Sequence, residues 1–442
     1  VTARRVGLWS AVGIGVGSML GAGVFSDMWV TVLAAGRWYL LALAIAAVVA
    51  VANALSTAQL AATHPVAGGA YAYGRAELSE WAGHVAGAAF LVGKTASVAL
   101  AATILGSSVA PGRPQMTATV AILLVWALNA RGITRTAWGA TVIALLVSSV
   151  LIALIVVAAT APTTFGWFAY APLTEQPGGA SVLLASLGMG PGGLAQVPTA
   201  AAAAFFAFAG YARIATLGEE VREPATTIPR AIVLALAFVL ALYLGLGVAL
   251  ALRVGYDGLL APPDGGSGDS VVAPLERLAD AVGFPGALVA VVAVLSVAGA
   301  MLAVMAGTGR TAMAMARHGD LPGLFARQGQ AGVPWRAELA VALIAIGLVW
   351  TPGVSLLLVS VATVLTYYAV ANAAAISQTR GRRQASLRVP VAVSVVGLVG
   401  CVSLALVAAP AATGQGAGWV LAVLVVVVLG WPTLRIVTRR RA

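Results

Sequence analysis

About twelve apolar runs of roughly 20 residues follow one another along the chain, each long enough to cross a hydrocarbon layer about 30 Å thick. Their expected limits are 6–33, 38–62, 81–108, 115–130, 137–160, 198–218, 229–252, 283–309, 337–351, 354–377, 389–410 and 417–437. Hydrocarbon offers no water to bare amides and carbonyls, so each run reads as a helix that satisfies its own backbone. The balance agrees: 61% of residues are hydrophobic and 9% charged, against about a quarter charged in soluble domains. The chain reads as an all-α integral membrane protein.

A net charge of +11 in a soluble domain would suggest nucleic acid. Here topology accounts for it. With the N-terminus inside, 19 arginines fall in inner segments and 4 (Arg37, Arg113, Arg253 and Arg277) in outer ones, leaving Lys94 and Arg213 within spans. Both termini are therefore expected in the cytoplasm, with "RGRR" and "RRRA" as topology anchors and contacts to anionic lipid, and no nucleic-acid partner. Cys401, the sole cysteine, excludes an intrachain disulfide. The first run is too long and glycine-interrupted for a signal peptide. The longest connections are 161–197, without Lys or Arg, and 253–282, which carries "PPDGGSGDS".

Two spans are irregular. The first contains "GIGVGSMLGAGVF", residues 13–25, and the sixth contains "FFAFAGYAR", where Gly210 interrupts an aromatic run. Irregular backbone at membrane depth is tolerated where it lines a cavity or is buried in protein. Gly13, Gly17 and Gly21 also fit close helix packing of the small-xxx-small kind. First and sixth spans correspond if ten of the twelve form two inverted repeats of five, and interrupted helices at matched positions point to a transporter's binding site.

Lys94 is the only lysine, in "FLVGKTAS". The stretch imitates the end of a phosphate-binding loop, but Ala88 stands where that motif needs glycine, and the flanks are apolar. Lys94 is about 13 residues from either end of its helix, roughly 20 Å at 1.5 Å per residue, beyond the reach of its side chain to water. It must be paired, hydrated in a cavity, or neutral.

"GSMLGAGVF" resembles the first-helix signature of the amino acid/polyamine/organocation permease superfamily. "FFAFAGYARIATLGEEVREPATTIPRAI" is similar to that family's sixth helix and the loop into the seventh, and "GRTAMAMARHGDLPGLFARQ" to its cytoplasmic segment after the eighth. The resemblance implies a LeuT-like fold of five plus five inverted helices with broken helices 1 and 6 and two peripheral helices. The divisions are then 1–160 for the first repeat, 161–197 for an external loop, 198–377 for the second repeat and 378–442 for the peripheral helices and tail. It further implies a multi-pass protein of the bacterial plasma membrane that moves amino acids by alternating access, is not an enzyme and needs no cofactor.

In such proteins the freed amides of the first break receive the substrate carboxylate, which places Ser18, Gly21, Ala22 and Gly23 there. Carbonyls of the sixth break receive the ammonium: Phe206, Ala207 and Ala209 around Gly210, joined by that of Val16. Phe206 stands at the aromatic gate position, with packing or lipid contact as its plain alternative. Half-helix N-termini favour anions and half-helix C-termini cations, which agrees.

A pocket lined by Phe206, Phe205 or Phe208, Ala22 and Ala209 would suit a neutral, hydrophobic amino acid. The family's acid two places after the sixth-helix glycine is replaced by Ala212, which counts against cationic substrates and polyamines. Arg213 either snorkels to the inner surface or faces the site, where an acidic amino acid would suit it. Export, and carriage of acidic amino acids or amines, stay open, as does monomer or homodimer.

Some superfamily members run without sodium, using a buried lysine on the fifth helix. Here that span has none. Lys94 is left with two roles, proton coupling or a structural bond to carbonyls at the first break. Glu219 and Glu220 in "GEEVREP" read either as a solvated loop or as an inner latch to Arg4, Arg5, Arg310 or Arg317. "TTIPRA" reads as a helix start with Thr226 or Thr227 as N-cap and Pro229 in the first turn. Asp27 reads as a proton site or a vestibule residue. His64, His84 and His318 lack metal-ligand spacing, so no metal is expected. A membrane-embedded transferase would need clustered carboxylates, and a channel a filter repeat or charge rings; the sequence offers neither.

Overall fold

The computed structural model describes residues 6–161, 196–255, 273–329, 332–381 and 387–430. The side chains of Ala22 and Asp27, and residues Arg4 and Arg5, lie outside the described set. Among the described residues the backbone is helical apart from turns and one parallel bridge between Val6 and Val221. In chain order the helices are α1 (Leu8–Ala22), α2 (Met28–Ala35), α3 (Tyr39–Thr63), α4 (Ala70–Glu77), α5 (Glu80–Val109), α6 (Pro114–Ala130), α7 (Ile133–Thr160) and α8 (Val197–Phe208). They continue with α9 (Ala212–Ala215), α10 (Pro224–Arg253), α11 (Ala273–Ala281), α12 (Gly286–Arg317), α13 (Trp335–Val349), α14 (Leu356–Arg380), α15 (Val391–Ala412) and α16 (Gly418–Leu429).

Among the described residues, nine helical segments are long and apolar enough to cross a membrane. Twelve were expected. The difference lies in α6 and α13, of 17 and 15 residues, and in α15–α16, counted as one 39-residue segment although Gln415 and Gly416 leave helical geometry inside it. Burial separates centre from periphery. The segments Leu8–Phe25, Glu80–Val109, Val197–Ala215 and Leu356–Arg380 are 71–83% buried, whereas Gly139–Thr160 is 33% and Val391–Leu429 28% buried. α1 packs on α7, α10 and α12, α8 on α3, and α5 on both α12 and α14.

Local chemistry sets several boundaries. Ser79 caps α5, its Oγ accepting from the Ala82 amide at 3.1 Å. The seventh span starts earlier than "TTIPRA" suggested: Pro224 opens α10 and Pro229 lies in its second turn. Pro224 has no amide to leave unsatisfied and its φ is already helical, so it suits the first helical position. Thr226 turns its Oγ1 to the Glu223 carbonyl at 3.1 Å instead of capping. The eighth span likewise runs past its apolar stretch to Arg317, because nothing breaks it before Gly319 at φ +77°. "GRTAMAMAR" is thus the last turns of α12 rather than a loop. Arg253, expected in a loop, ends α10 buried, its Nε donating to the Ala158 carbonyl at the end of α7 at 2.6 Å.

Candidate functional site

α1 loses helical geometry at Gly21 (φ −43°, ψ −127°) and resumes through a wide π-turn at Gly23–Asp27 before α2. Both readings of its glycines have a place. A Cβ on Gly13 would stand 2.7 Å from the Thr141 side chain, and one on Gly17 3.2 Å from the Ala140 carbonyl, so these two let α1 lie close on α7. Gly21 instead faces Ala300 of α12, at the interruption itself.

The sixth span breaks where α8 tightens into a 3₁₀ turn at Ala209–Tyr211. The two interruptions meet. A Cβ on Gly210 would be 2.6 Å from the Met19 nitrogen, and one on Gly23 2.5 Å from the Ala207 Cα, so main chain lies on main chain at both contacts. Ser18 of α1 reaches across, its Oγ within 2.7 Å of the Gly210 carbonyl and 2.9 Å of its own helix's Gly15 carbonyl. Tyr243 of α10 ties both breaks together, its hydroxyl 2.7 Å from the Met19 carbonyl and 3.3 Å from that of Ala207.

Lys94 enters from the middle of α5. It is 5% exposed, and its Nζ donates to the Ala209 carbonyl at 3.3 Å. The same oxygen accepts from the Tyr368 hydroxyl of α14 at 3.0 Å. The lysine therefore reaches the sixth-span interruption, whereas the sequence placed its structural partner at the first. Tyr368 is held in place by edge contacts to Phe205 and Tyr367, with ring centroids at 5.7 and 5.1 Å.

Beside these groups lies a narrow, partly open cleft. Ser18, Gly23, Lys94, Ser97 and Gly210 line it together with the apolar Val98, Ala101, Phe206, Ala300, Met301 and Val304. Ser97 pairs with Ser360 at 2.7 Å. A second, narrow cleft lined by Val24, Tyr39, Leu43, Ala204 and Tyr243 shares Gly23 with the first.

Of the expected site residues, Ser18, Gly23, Lys94, Phe206 and Gly210 line the larger cleft. Phe206 is the one residue between Ala200 and Gly218 that is not buried, consistent with an aromatic at an opening. Ala207 and Ala209 lie in the break, and Val16 is buried one turn before Gly21. Phe205 and Phe208 do not line the cleft: both are buried, against Tyr368 and Tyr243. Ala22 and Asp27 fall outside the described side chains.

Arg213 takes neither course open to it. It is 5% exposed, lies against Gly307 and donates to Thr216 Oγ1 at 2.7 Å, so it neither snorkels to water nor lines the cleft. Glu220 pairs with Arg310, and Glu219 with Arg317 at 2.9 Å, both on α12. The same loop is strapped to the start of the chain by Val6 N–H to the Glu220 carbonyl at 3.1 Å and Arg222 N–H to the Val6 carbonyl at 2.9 Å. His64 meets Glu77 at 2.6 Å, and among the described residues no His, Cys, Asp and Glu group could hold a metal.

Three residues were missed by the sequence reading. Tyr243 and Tyr368 resemble ordinary packing aromatics until their hydroxyls are seen on freed carbonyls. Glu338, fully buried near the start of α13, lies near Arg213 and Arg310 with neither carboxylate oxygen hydrogen-bonded. An acid inside an apolar run is itself a signal, and this one was legible.

A helical membrane bundle with two well-buried helices interrupted face to face, beside a cleft in which Lys94 is the one charged side chain among the described residues, has the build of a carrier of small solutes. The amino acid permease family model matches residues 11–379, and the chain belongs to that family. It is similar to an uncharacterized transporter of Mycobacterium tuberculosis, 39% identical over 441 residues, covering 99% of this chain and 92% of the relative. It is also similar to the aromatic amino acid transport protein of Corynebacterium glutamicum, 25% identical over 77% of this chain and 73% of that one. A vacuolar cationic amino acid transporter of Arabidopsis thaliana is 29% identical over 84% of this chain and 62% of the relative. These relatives are transporters and not enzymes.

Proposed function

We propose that this amino acid permease is a secondary active transporter of neutral, predominantly apolar amino acids, working by alternating access without sodium, through proton coupling or exchange. One observation carries the reading: two helix interruptions meet at a cleft lined largely by Val98, Ala101, Phe206, Met301 and Val304, which, among the described residues, holds no acid. A cationic side chain would find an ammonium there and no carboxylate, which counts against the substrate named for the plant relative and against amines.

In this reading the chain makes twelve passes of the bacterial plasma membrane with both termini in the cytoplasm. Residues 1–160 and 198–377 are inverted repeats, 161–197 is external and 378–442 is peripheral. α6 and α13 are the short passes, and the break at Gln415–Gly416 divides the last two. The amides near Ser18 and at Gly21–Gly23 receive the carboxylate, with Val16 and the Phe206–Gly210 break around the amino group. Phe206 gates the cleft. Glu219 and Glu220 latch the cytoplasmic face and release α12 when the site opens inward. Lys94 carries the coupling proton.

Counterflow tests the core of this. Proteoliposomes loaded with unlabelled apolar amino acids are expected to take up labelled leucine rapidly, equally with and without sodium. Lys94→Ala is expected to abolish accumulation driven by a pH gradient while counterflow persists. No exchange of any amino acid by well-folded, reconstituted protein would sink the reading.

A further inference from the structure

Two of the carbonyls that the sixth-span interruption frees, Ala209 O and Gly210 O, already take two partners each from the protein. Phe206 O accepts the Ala209 amide, and Ala207 O lies 3.3 Å from the Tyr243 hydroxyl. Gly210 O takes the Ser18 hydroxyl and the Ala212 amide. Ala209 O takes both Lys94 and Tyr368, and a carbonyl oxygen has two lone pairs. Ala209 O, with both lone pairs taken, thus has no place left for a substrate ammonium.

Lys94 is in the opposite condition. Its ammonium has three donors, and its bond to Ala209 O is the one it makes among the described residues. It is 95% buried, it lines the cleft, and among the described residues no carboxylate lines the cleft with it. A charge so placed is stabilised by an anion that enters beside it. The neighbouring surface adds hydroxyls at Ser18 and Ser97 and then turns apolar at Val98 and Met301.

We infer that Lys94 is a specificity-determining residue that joins the amides near Ser18 and at Gly21–Gly23 in receiving the substrate's carboxylate and, by occupying Ala209 O, weakens the requirement for an α-amino group, so that the cleft takes short apolar monocarboxylates with or without one. Lys94 stands where the substrate's own ammonium would bind, and supplies the positive charge from the protein side. The inference rests on the same cleft being the transport site.

The test uses the full-length protein in proteoliposomes and three compounds of one shape: leucine, its deamino analogue 4-methylpentanoate, and its decarboxy analogue 3-methylbutylamine. Each competes against labelled leucine in counterflow, and each is also titrated against the purified protein in detergent by intrinsic fluorescence or calorimetry. The expected result is that 4-methylpentanoate competes within about threefold of leucine, while the amine competes at least about tenfold more weakly, the scale of one lost charge-assisted hydrogen bond. In Lys94→Met, Ala209 O loses its lysine and can accept the substrate's ammonium. The ratio of the two carboxylates' affinities should then swing by about tenfold or more toward leucine, a change of selectivity that simple loss of structure does not produce.

Leucine exchange with no competition by 4-methylpentanoate in the unaltered protein would overturn the inference and leave the amino acid carrier standing. Binding of 4-methylpentanoate that depends on Lys94, without exchange of any amino acid, would support the inference and overturn the carrier reading. If neither compound binds, both fall.

Discussion

The Tyr243 hydroxyl bonds carbonyls of both interrupted helices, at 2.7 Å to Met19 and 3.3 Å to Ala207, so Tyr243→Phe asks how much that one group holds the breaks together. The ring is 1% exposed and packs on Phe208 with centroids 5.2 Å apart, and phenylalanine keeps that packing. The hydroxyl has one proton to give to the two carbonyls, so what is lost is one hydrogen bond, leaving a buried carbonyl without its donor, a cost of about 1–3 kcal/mol. At 1.4 kcal/mol per factor of ten, the aligned arrangement of the breaks becomes less populated by about 5–140-fold relative to competitors. Purified protein is expected to melt a few degrees lower, and leucine counterflow to slow by about tenfold. Tyr243→Leu, which removes the ring as well, should cost several kcal/mol more through the cavity it leaves. Unchanged melting and unchanged counterflow in Tyr243→Phe would refute the idea that this hydroxyl couples the two interruptions.

The two ion pairs of the "GEEVREP" loop should separate by burial: Glu219–Arg317 is 38% and 39% exposed and is worth at most about 1 kcal/mol, whereas Glu220–Arg310 is 14% and 4% exposed and its rupture costs about 3 kcal/mol or more. Double-mutant cycles on melting temperature, with each acid changed to glutamine and each arginine to methionine, check the order, and equal coupling energies would contradict it. Gly210→Ala is expected to stop counterflow in protein that still purifies as a single species, because its Cβ meets backbone at 2.6 Å and overpacking costs about 1–3 kcal/mol even where side chains can yield; an active variant would mean that α1 and α8 are not in contact there during transport.

Much of this molecule is legible in one dimension. Apolar length places the helices because the penalty for bare backbone in hydrocarbon acts on each segment by itself, and the same penalty marks the glycine-rich stretches at residues 13–25 and 205–213 as places where protein must supply partners. Lys94 could be singled out for the same reason, from its distance to either helix end. Where helices stop was less legible: α12 continues eight residues beyond its expected limit of 309 because polar residues such as Arg310 and Thr311 are buried against other helices instead of facing water.

Which partners satisfy those groups depended on tertiary structure alone. Lys94 meets Ala209 across 115 positions and Tyr243 meets Met19 across 224, and no local periodicity encodes either pairing. Arg213, readable only as an exposed or site-facing cation, is buried against Gly307 because α12 passes there. Among the freed carbonyls, Ala209 O and Gly210 O are taken by side chains from α1, α5 and α14. Hydropathy adds up along the chain and so determines what crosses the bilayer; hydrogen bonds inside the bundle form between whichever helices become neighbours, and only the fold decides that.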